Sequence, residues 1–298
     1  MKKWMKRLIS LMLCLVMLLG TSMLNIQAET NNEITVAELN AATDFGEARV
    51  HVNPLYEDLI PEPELNAGEE ESREHEQSVK DADKSLEYCD SYAQALYSAA
   101  KQMSDRDGIC YIMFRDTGDF YYNMLYGKDN DALFAVTVSA IDACMQHTGD
   151  PDLGDALRWQ YKTYSYYKPT YQYSNGYYYY TMKFQPIYYT TAAQERAVDQ
   201  AVDALLEELD VYSGTEYDKV EAVYDWICEN VEYDYAGLAA NDLLRCTAYA
   251  AIVNKTAVCQ GYAVLMYRLL LELGVDNRVV TSYDHAWNIV EKIGRAHV

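Results

Sequence analysis

The stretch "AVCQGYAVLMYRLLLELGVDNRVV", residues 257–280, sets a cysteine between a β-favouring valine and a long run with helical spacing. Downstream of Cys259, the residues Tyr262, Leu265, Met266, Leu269, Leu270 and Leu273 recur at intervals of three and four, and Gly274 suits the left-handed position that ends a helix. Cys259 is therefore expected in the first turn of a buried helix. Unpaired backbone N–H groups and the helix dipole at such an end favour anions, and hence a thiolate. The same N–H groups can receive the oxyanion formed when sulfur attacks a carbonyl.

Past the helix, "NRVVTS" reads as a buried strand, Tyr283 and Asp284 as a turn, and "HAWNIVE" as a second strand beginning at His285. A strand that follows the helix can return an imidazole to the thiol, because the pair needs nearness in space rather than in sequence. His285 and Trp287 share one face of that strand while Asp284 and Ala286 share the other, so Asp284 is poorly placed to orient its neighbour's ring. The residues alone leave three readings of Cys259 open. It is a nucleophile with His285 as base, a small buried core residue, or half of a disulfide with Cys246 as the nearest partner in sequence.

The chain has 298 residues, enough for one or two domains with a real core. At its start, Lys2, Lys3, Lys6 and Arg7 precede the apolar run Leu8 to Leu19, and Ala28 offers a cleavage point. This pattern predicts a secretory signal peptide over residues 1–28, hence a secreted or cell-surface protein with no membrane span after its removal. The formal net charge of −22 becomes about −26 without those four cations. Such a chain is repelled by nucleic acid and by anionic membrane, so neither is an expected partner. Export would leave six cysteines, 89, 110, 144, 228, 246 and 259. An oxidising compartment favours a disulfide framework for them, yet a chain of this size can also hold them as core thiols. Their spacings match no zinc pattern, and neither metal nor cofactor is expected.

Between the leader and the core, residues 29–84 are acidic and poor in apolar side chains, which predicts a disordered or loosely helical spacer. His51 and His75 fall in it and carry no expected role. Residues 85–190 read as a Tyr-rich α/β region. It holds helical spacing over "SLEYCDSYAQALYSAAKQMSD", a β-rich run at "GICYIMFR", and a helix over "DNDALFAVTVSAIDACMQH" with Asp129 or Asn130 as N-cap. A hairpin follows, turning at Asn175-Gly176. Most of the tyrosine excess, 29 against five phenylalanines, lies here. Tyrosine fits a pleated, half-exposed surface and pairs across strands, although such rows could also stack on sugar rings. Cys144 and His147 lie one helical turn apart, but a histidine near a helix C-terminus needs no metal to account for it. From 191, "TTAAQERAVDQAVDALLEEL" opens with a Thr191–Gln194 capping box and keeps Ala197, Val198, Ala201, Leu205 and Leu209 on one side. "TEYDKVEAVYDWICENVEYDY" reads as a further helix with Val220, Val223, Tyr224, Ile227 and Val231 inward.

Three motifs in this order, "YDWICENVEYDY", "AVCQGYAVLMYRLLLELGVDNRVV" and "HAWNIV", together resemble the core of the transglutaminase-like superfamily, in its bacterial secreted form, over Val220 to Glu291. The resemblance implies an α+β, papain-like core in which a helix bearing the cysteine packs on an antiparallel sheet, over residues 191–292. It implies Cys259 as nucleophile and His285 as base, with Tyr233 or Gln260 framing the oxyanion. The family's third catalytic residue is an aspartate on the strand after the histidine. Here the chain reads "NIVEKIGRAHV" and stops. The last six residues are also what a common sequencing-adapter stretch encodes, so 293–298 are expected to be a non-native tail and the core to be truncated at its C-terminus. An imidazole without that aspartate is unoriented, so this fragment is expected to be a weak enzyme or an inactive one. The expected chemistry is acyl transfer through a thioester, by hydrolysis or by transfer to an amine, on a protein or peptide substrate, cell-wall peptides included. The alternative is a non-catalytic surface or cell-wall-binding module of the same fold.

Overall fold

The computed structural model describes residues 33–53, 84–236, 242–282 and 284–290. The expected leader, the middle of the expected spacer and the expected tail lie outside the described residues.

The N-terminal half is built on one antiparallel sheet whose strands run in the order β2 (Arg49–Val52), β5 (Tyr161–Tyr166), β7 (Tyr177–Tyr188) and β4 (Cys110–Asp116), with β6 (Thr170–Ser174) also paired to β7. β4 explains the sheet's two layers. Cys110, Ile112 and Phe114 face one buried cluster with Tyr180, Met182 and Phe184, while Tyr111 and Met113 face another with Tyr179. A strand covered on both faces carries a continuous apolar run, which is what "CYIMF" is. The first cluster is closed by α2 (Tyr92–Ser104) and α3 (Asn130–Cys144), capped by Ser91 and Asp129 respectively. In the hairpin, Ser174 pairs with Tyr177, and Asn175 (φ 51°) and Gly176 (φ 88°) supply the two positive angles of a type I′ turn. Many of the tyrosines are core residues rather than surface ones. Phe114 and Tyr180 stack at 4.7 Å deep in the first cluster, where Tyr164 is also buried.

The second cluster corrects the reading of residues 29–84 as a disordered or loosely helical spacer where that segment is described, over 33–53. β1 (Glu33–Thr35) pairs with β3 (Ser85–Glu87), α1 (Val36–Ala42) starts at a Thr35–Glu38 capping box, and β2 joins the sheet beside β5. Val36, Leu39 and Phe45 are buried there with Leu86 and Tyr88. The acidic average of the segment hides these few apolar residues, and they suffice because the sheet supplies the rest of the core. His51 lies on β2 and stacks on Tyr164 at 4.7 Å.

The C-terminal half is mainly helical. α5 (Ala192–Leu209) begins at the expected capping box and buries Val198, Val202, Leu205 and Leu206, a stripe rotated slightly from the predicted one. α6 (Glu216–Asn230) buries Val223 and Ile227, and the predicted inward Tyr224 is exposed. After a short 3-10 turn (Leu243–Cys246) and α7 (Ala248–Ile252), the central α8 (Cys259–Glu272) is apolar nearly all round and lies buried among them. Gly274 (φ 72°) ends it in the left-handed region. β10 (Asn277–Thr281) and β11 (Ala286–Val290) then form an antiparallel pair packed on α8, so helix and antiparallel sheet combine in an α+β core. The two halves are joined by charged contacts on one short segment. α4 (Asp155–Arg158) presents the buried Asp155 to Arg278 of β10 through two hydrogen bonds of 2.7 and 2.9 Å, and Asp155 also accepts the Val279 N–H at 2.9 Å. Arg268, on the back of α8, pairs with Asp152 and with Asp199 of α5.

Candidate active site

Cys259 is the first residue of α8, partly buried, behind an N-cap (Val258) that makes no side-chain capping bond. The helix start is held by backbone contacts instead. The Val258 N–H donates to the Arg245 carbonyl at 3.1 Å, and Gly261 seats the first turn against the preceding 3-10 turn. A Cβ at 261 would lie 2.7 Å from the Arg245 oxygen and 2.8 Å from the Ala257 Cβ, so glycine is what permits this approach. Cys246 sits behind, a buried free thiol whose pKa burial pushes up to about 12.

Tyr233 reaches the sulfur from a neighbouring strand. β8 (Glu232–Tyr233) runs parallel to β9 (Thr256–Ala257), with Tyr233 opposite Ala257, and the Asp234 N–H donates to the Ala257 carbonyl at 2.9 Å. The tyrosine thus stands two residues ahead of Cys259, where its hydroxyl lies near the backbone N–H and the thiol of that residue. Burial, and then the adjacent thiol, hold the phenol above its ordinary pKa, so it is a protonated donor at neutral pH. Tyr235 and Tyr262 flank its ring at 4.8 and 6.3 Å. Gln260 has a different environment. It is buried and donates its side-chain amide to the Trp159 carbonyl at 3.2 Å, at the seam between the two halves.

His285 directly precedes β11, and its carbonyl accepts the Ser282 N–H at 2.8 Å, closing the turn from β10. Two side-chain bonds set how β11 lies on the helix. Asn288 donates to the Ala263 carbonyl at 2.9 Å, and Asn277, whose strand partner is Val290, donates to the Tyr267 carbonyl at 3.2 Å. Two residues back along the strand therefore correspond to four residues back along the helix, about 6 Å in each case. Carried one step further, the same spacing predicts Ala286 level with Cys259 and His285 at that end of the helix. The imidazole stacks on Trp287 at 5.9 Å and 21°, on the exposed side of β11, and no hydrogen bond among the described residues joins it to the thiol. Asp284 accepts the Ser282 hydroxyl at 3.2 Å.

All six described cysteines are free thiols. Cys110, Cys144 and Cys246 are core residues, and Cys228 is exposed. His147 pairs with Asp276 at 2.7 Å and with the Tyr267 hydroxyl at 2.9 Å, in place of any pairing with Cys144. No group of three or more metal-ligating side chains occurs among the described residues, and none of their helices is long and apolar enough to cross a membrane. Sequence reasoning missed the asparagine pair 277 and 288 and the Asp155–Arg278 link. The signal for the asparagines was a polar amide at the start of β10 and another in the middle of the otherwise apolar β11.

Residues 203–298 match the family described as the transglutaminase-like superfamily. Kyphoscoliosis peptidase of Homo sapiens is 29% identical over 128 residues, covering 38% of this chain and 19% of that protein. The Mus musculus protein of the same name is 26% identical over 123 residues, covering 36% and 19%. The chain thus spans about a fifth of the length of these curated relatives. A solved structure titled "Crystal structure of a TGase" aligns at 15% identity and a TM-score of 0.30, over 60% of this chain and 48% of that one. The sequence matches, together with a helix that begins at a cysteine and packs on an antiparallel strand pair, carry the assignment. From residue 203 onward, the chain is similar to the transglutaminase-like superfamily.

Proposed function

We propose that this chain carries a secreted cysteine enzyme that acts on peptide or glutamine amide bonds through a thioester. The observation that supports it most is the Tyr233 hydroxyl at both the thiol and the backbone N–H of Cys259, at the open end of a buried helix. In this reading Cys259 attacks the amide carbonyl as a thiolate, its proton held by His285. The Tyr233 O–H and the Cys259 N–H, which lie near each other, both turn as donors to the carbonyl oxygen as it becomes an oxyanion. The leaving amine takes the proton from the imidazolium, and the tetrahedral centre collapses to the thioester. His285 then deprotonates water, or an amine, which attacks the thioester and regenerates the thiol. Hydrolysis is the favoured outcome in an aqueous extracellular setting.

The test is ammonia release from a glutamine-containing peptide, with and without a primary amine. Release that needs both Cys259 and His285 supports the reading. Unchanged release in Cys259→Ala overturns it.

A further inference from the structure

β11 takes its register from β10 and from the turn closed between Ser282 and His285, but its place along α8 has few constraints. It is five residues long, pairs only with β10 among the described strands, and meets α8 mostly through apolar contacts of Ala286 and Val290, which are non-directional and permit sliding. β10, by contrast, is fixed from outside by Asp155, which holds the Arg278 guanidinium and the Val279 N–H. Its directional contacts with the helix come from one side chain. The Asn288 Nδ2 donates both to the Ala263 carbonyl, one helical turn after Cys259, and to the Asn277 Oδ1 at 3.1 Å. Asn277 is buried and passes its own Nδ2 to the Tyr267 carbonyl, the next turn along. The two amides thus tie both strands to two successive turns of the helix that begins at Cys259. A shift of β11 along the helix by the length of two strand residues would move His285 by about 7 Å relative to Cys259.

We infer that Asn288, braced by Asn277, is a positioning residue that locks β11 in its place along α8 and so sets the distance between His285 and Cys259. It touches neither substrate nor sulfur and acts through the strand. The inference rests on the cysteine–histidine reading above, and its test separates the two. In the full chain, the rate at which iodoacetamide alkylates Cys259 is measured from pH 5 to 10, the site of modification being read by peptide mass spectrometry. A thiol coupled to an imidazole stays reactive well below the transition of a free cysteine near pH ~8.5. Asn288→Asp keeps the size of the side chain but has no N–H to offer the Ala263 carbonyl. It is expected to lower alkylation at pH 6 by ~10-fold or more and return the profile to that of a free thiol, while the circular dichroism spectrum is unchanged. Asn288→Gln, which retains both N–H donors, is expected to recover part of the low-pH reactivity.

A folded Asn288→Asp variant with the wild-type profile would overturn the lock. Should that variant not fold, Asn277→Ser removes the brace while leaving the bond to Ala263, and an unchanged profile there would equally overturn it. His285→Ala serves as the control for the underlying reading. If it leaves the profile unchanged, the cysteine–histidine pairing fails and the lock with it. If it moves the profile and the asparagine variants do not, only the lock fails.

Discussion

The Tyr233 hydroxyl lies against both the thiol and the backbone N–H of Cys259, carried there by a two-residue parallel pairing of strands far apart in sequence. A phenol so placed is preorganised to donate where an oxyanion develops on a carbonyl attacked by that sulfur. Tyr233→Phe removes the donor and little else, since the ring remains between Tyr235 and Tyr262. The expected loss in kcat is about 100-fold, the low end of what a single oxyanion donor contributes, with a much smaller change in KM. Steady-state kinetics on an amide substrate checks it.

Gly261→Ala is expected to destabilise the fold although alanine is the better helix former. The added methyl would press on the Arg245 and Thr247 carbonyls, at 2.7 and 3.0 Å, and on the Ala257 side chain. Overpacking of this kind costs about 1–3 kcal/mol, outweighing the helix-propensity gain of roughly 1 kcal/mol. The shift in denaturant midpoint measures the balance, and a stabilised variant would contradict the packing described.

Asp155 is buried, and it holds Arg278 and the Val279 amide, so removing it leaves the Val279 N–H without its acceptor beside a guanidinium that water can reach. Asp155→Ala should cost about 1–3 kcal/mol in equilibrium unfolding. Arg278→Met removes the partner charge and leaves a fully buried carboxylate with the Val279 N–H but no counter-charge. It should cost more than Asp155→Ala, about 3–5 kcal/mol, and the reverse order would contradict the burial described.

Buried thiols give the protein an alkaline weakness. Burial raises Cys246 to about 12, so the folded state keeps a proton there that the unfolded chain gives up near ~8.5. The unfolded state then binds fewer protons, and stability falls as pH rises between those values. Below that window the contribution is fully present. Cys246→Ala should flatten this alkaline slope in urea titrations at pH 8, 9 and 10, whatever it does to stability at pH 7.

The central helix, its glycine stop, the two strands after it and the Asn-Gly hairpin were legible because each is written in local periodicity or turn chemistry. Cys259 and His285 could be singled out for the same reason, being placed at element starts that the periodicity marks. Tyr233 was named only through resemblance, since a two-residue strand has no periodicity to read. Asn277, Asn288 and Asp155 were not found, because their partners are backbone groups and an arginine brought close only by tertiary packing. The apolar residues of 33–53 were overlooked for a related reason: they complete the face of a sheet whose other strands are distant in sequence, such as Tyr164 beside His51.

The central claim is that Cys259 becomes acylated, and a p-nitrophenyl ester tests it most directly because its activated leaving group needs little help from the rest of the machinery. The account predicts a burst of nitrophenol approaching one equivalent per chain and an acyl group on Cys259 in acid-quenched peptide maps, both lost in Cys259→Ala. An acyl group found instead on the exposed Cys228, or a burst that survives Cys259→Ala, would contradict it.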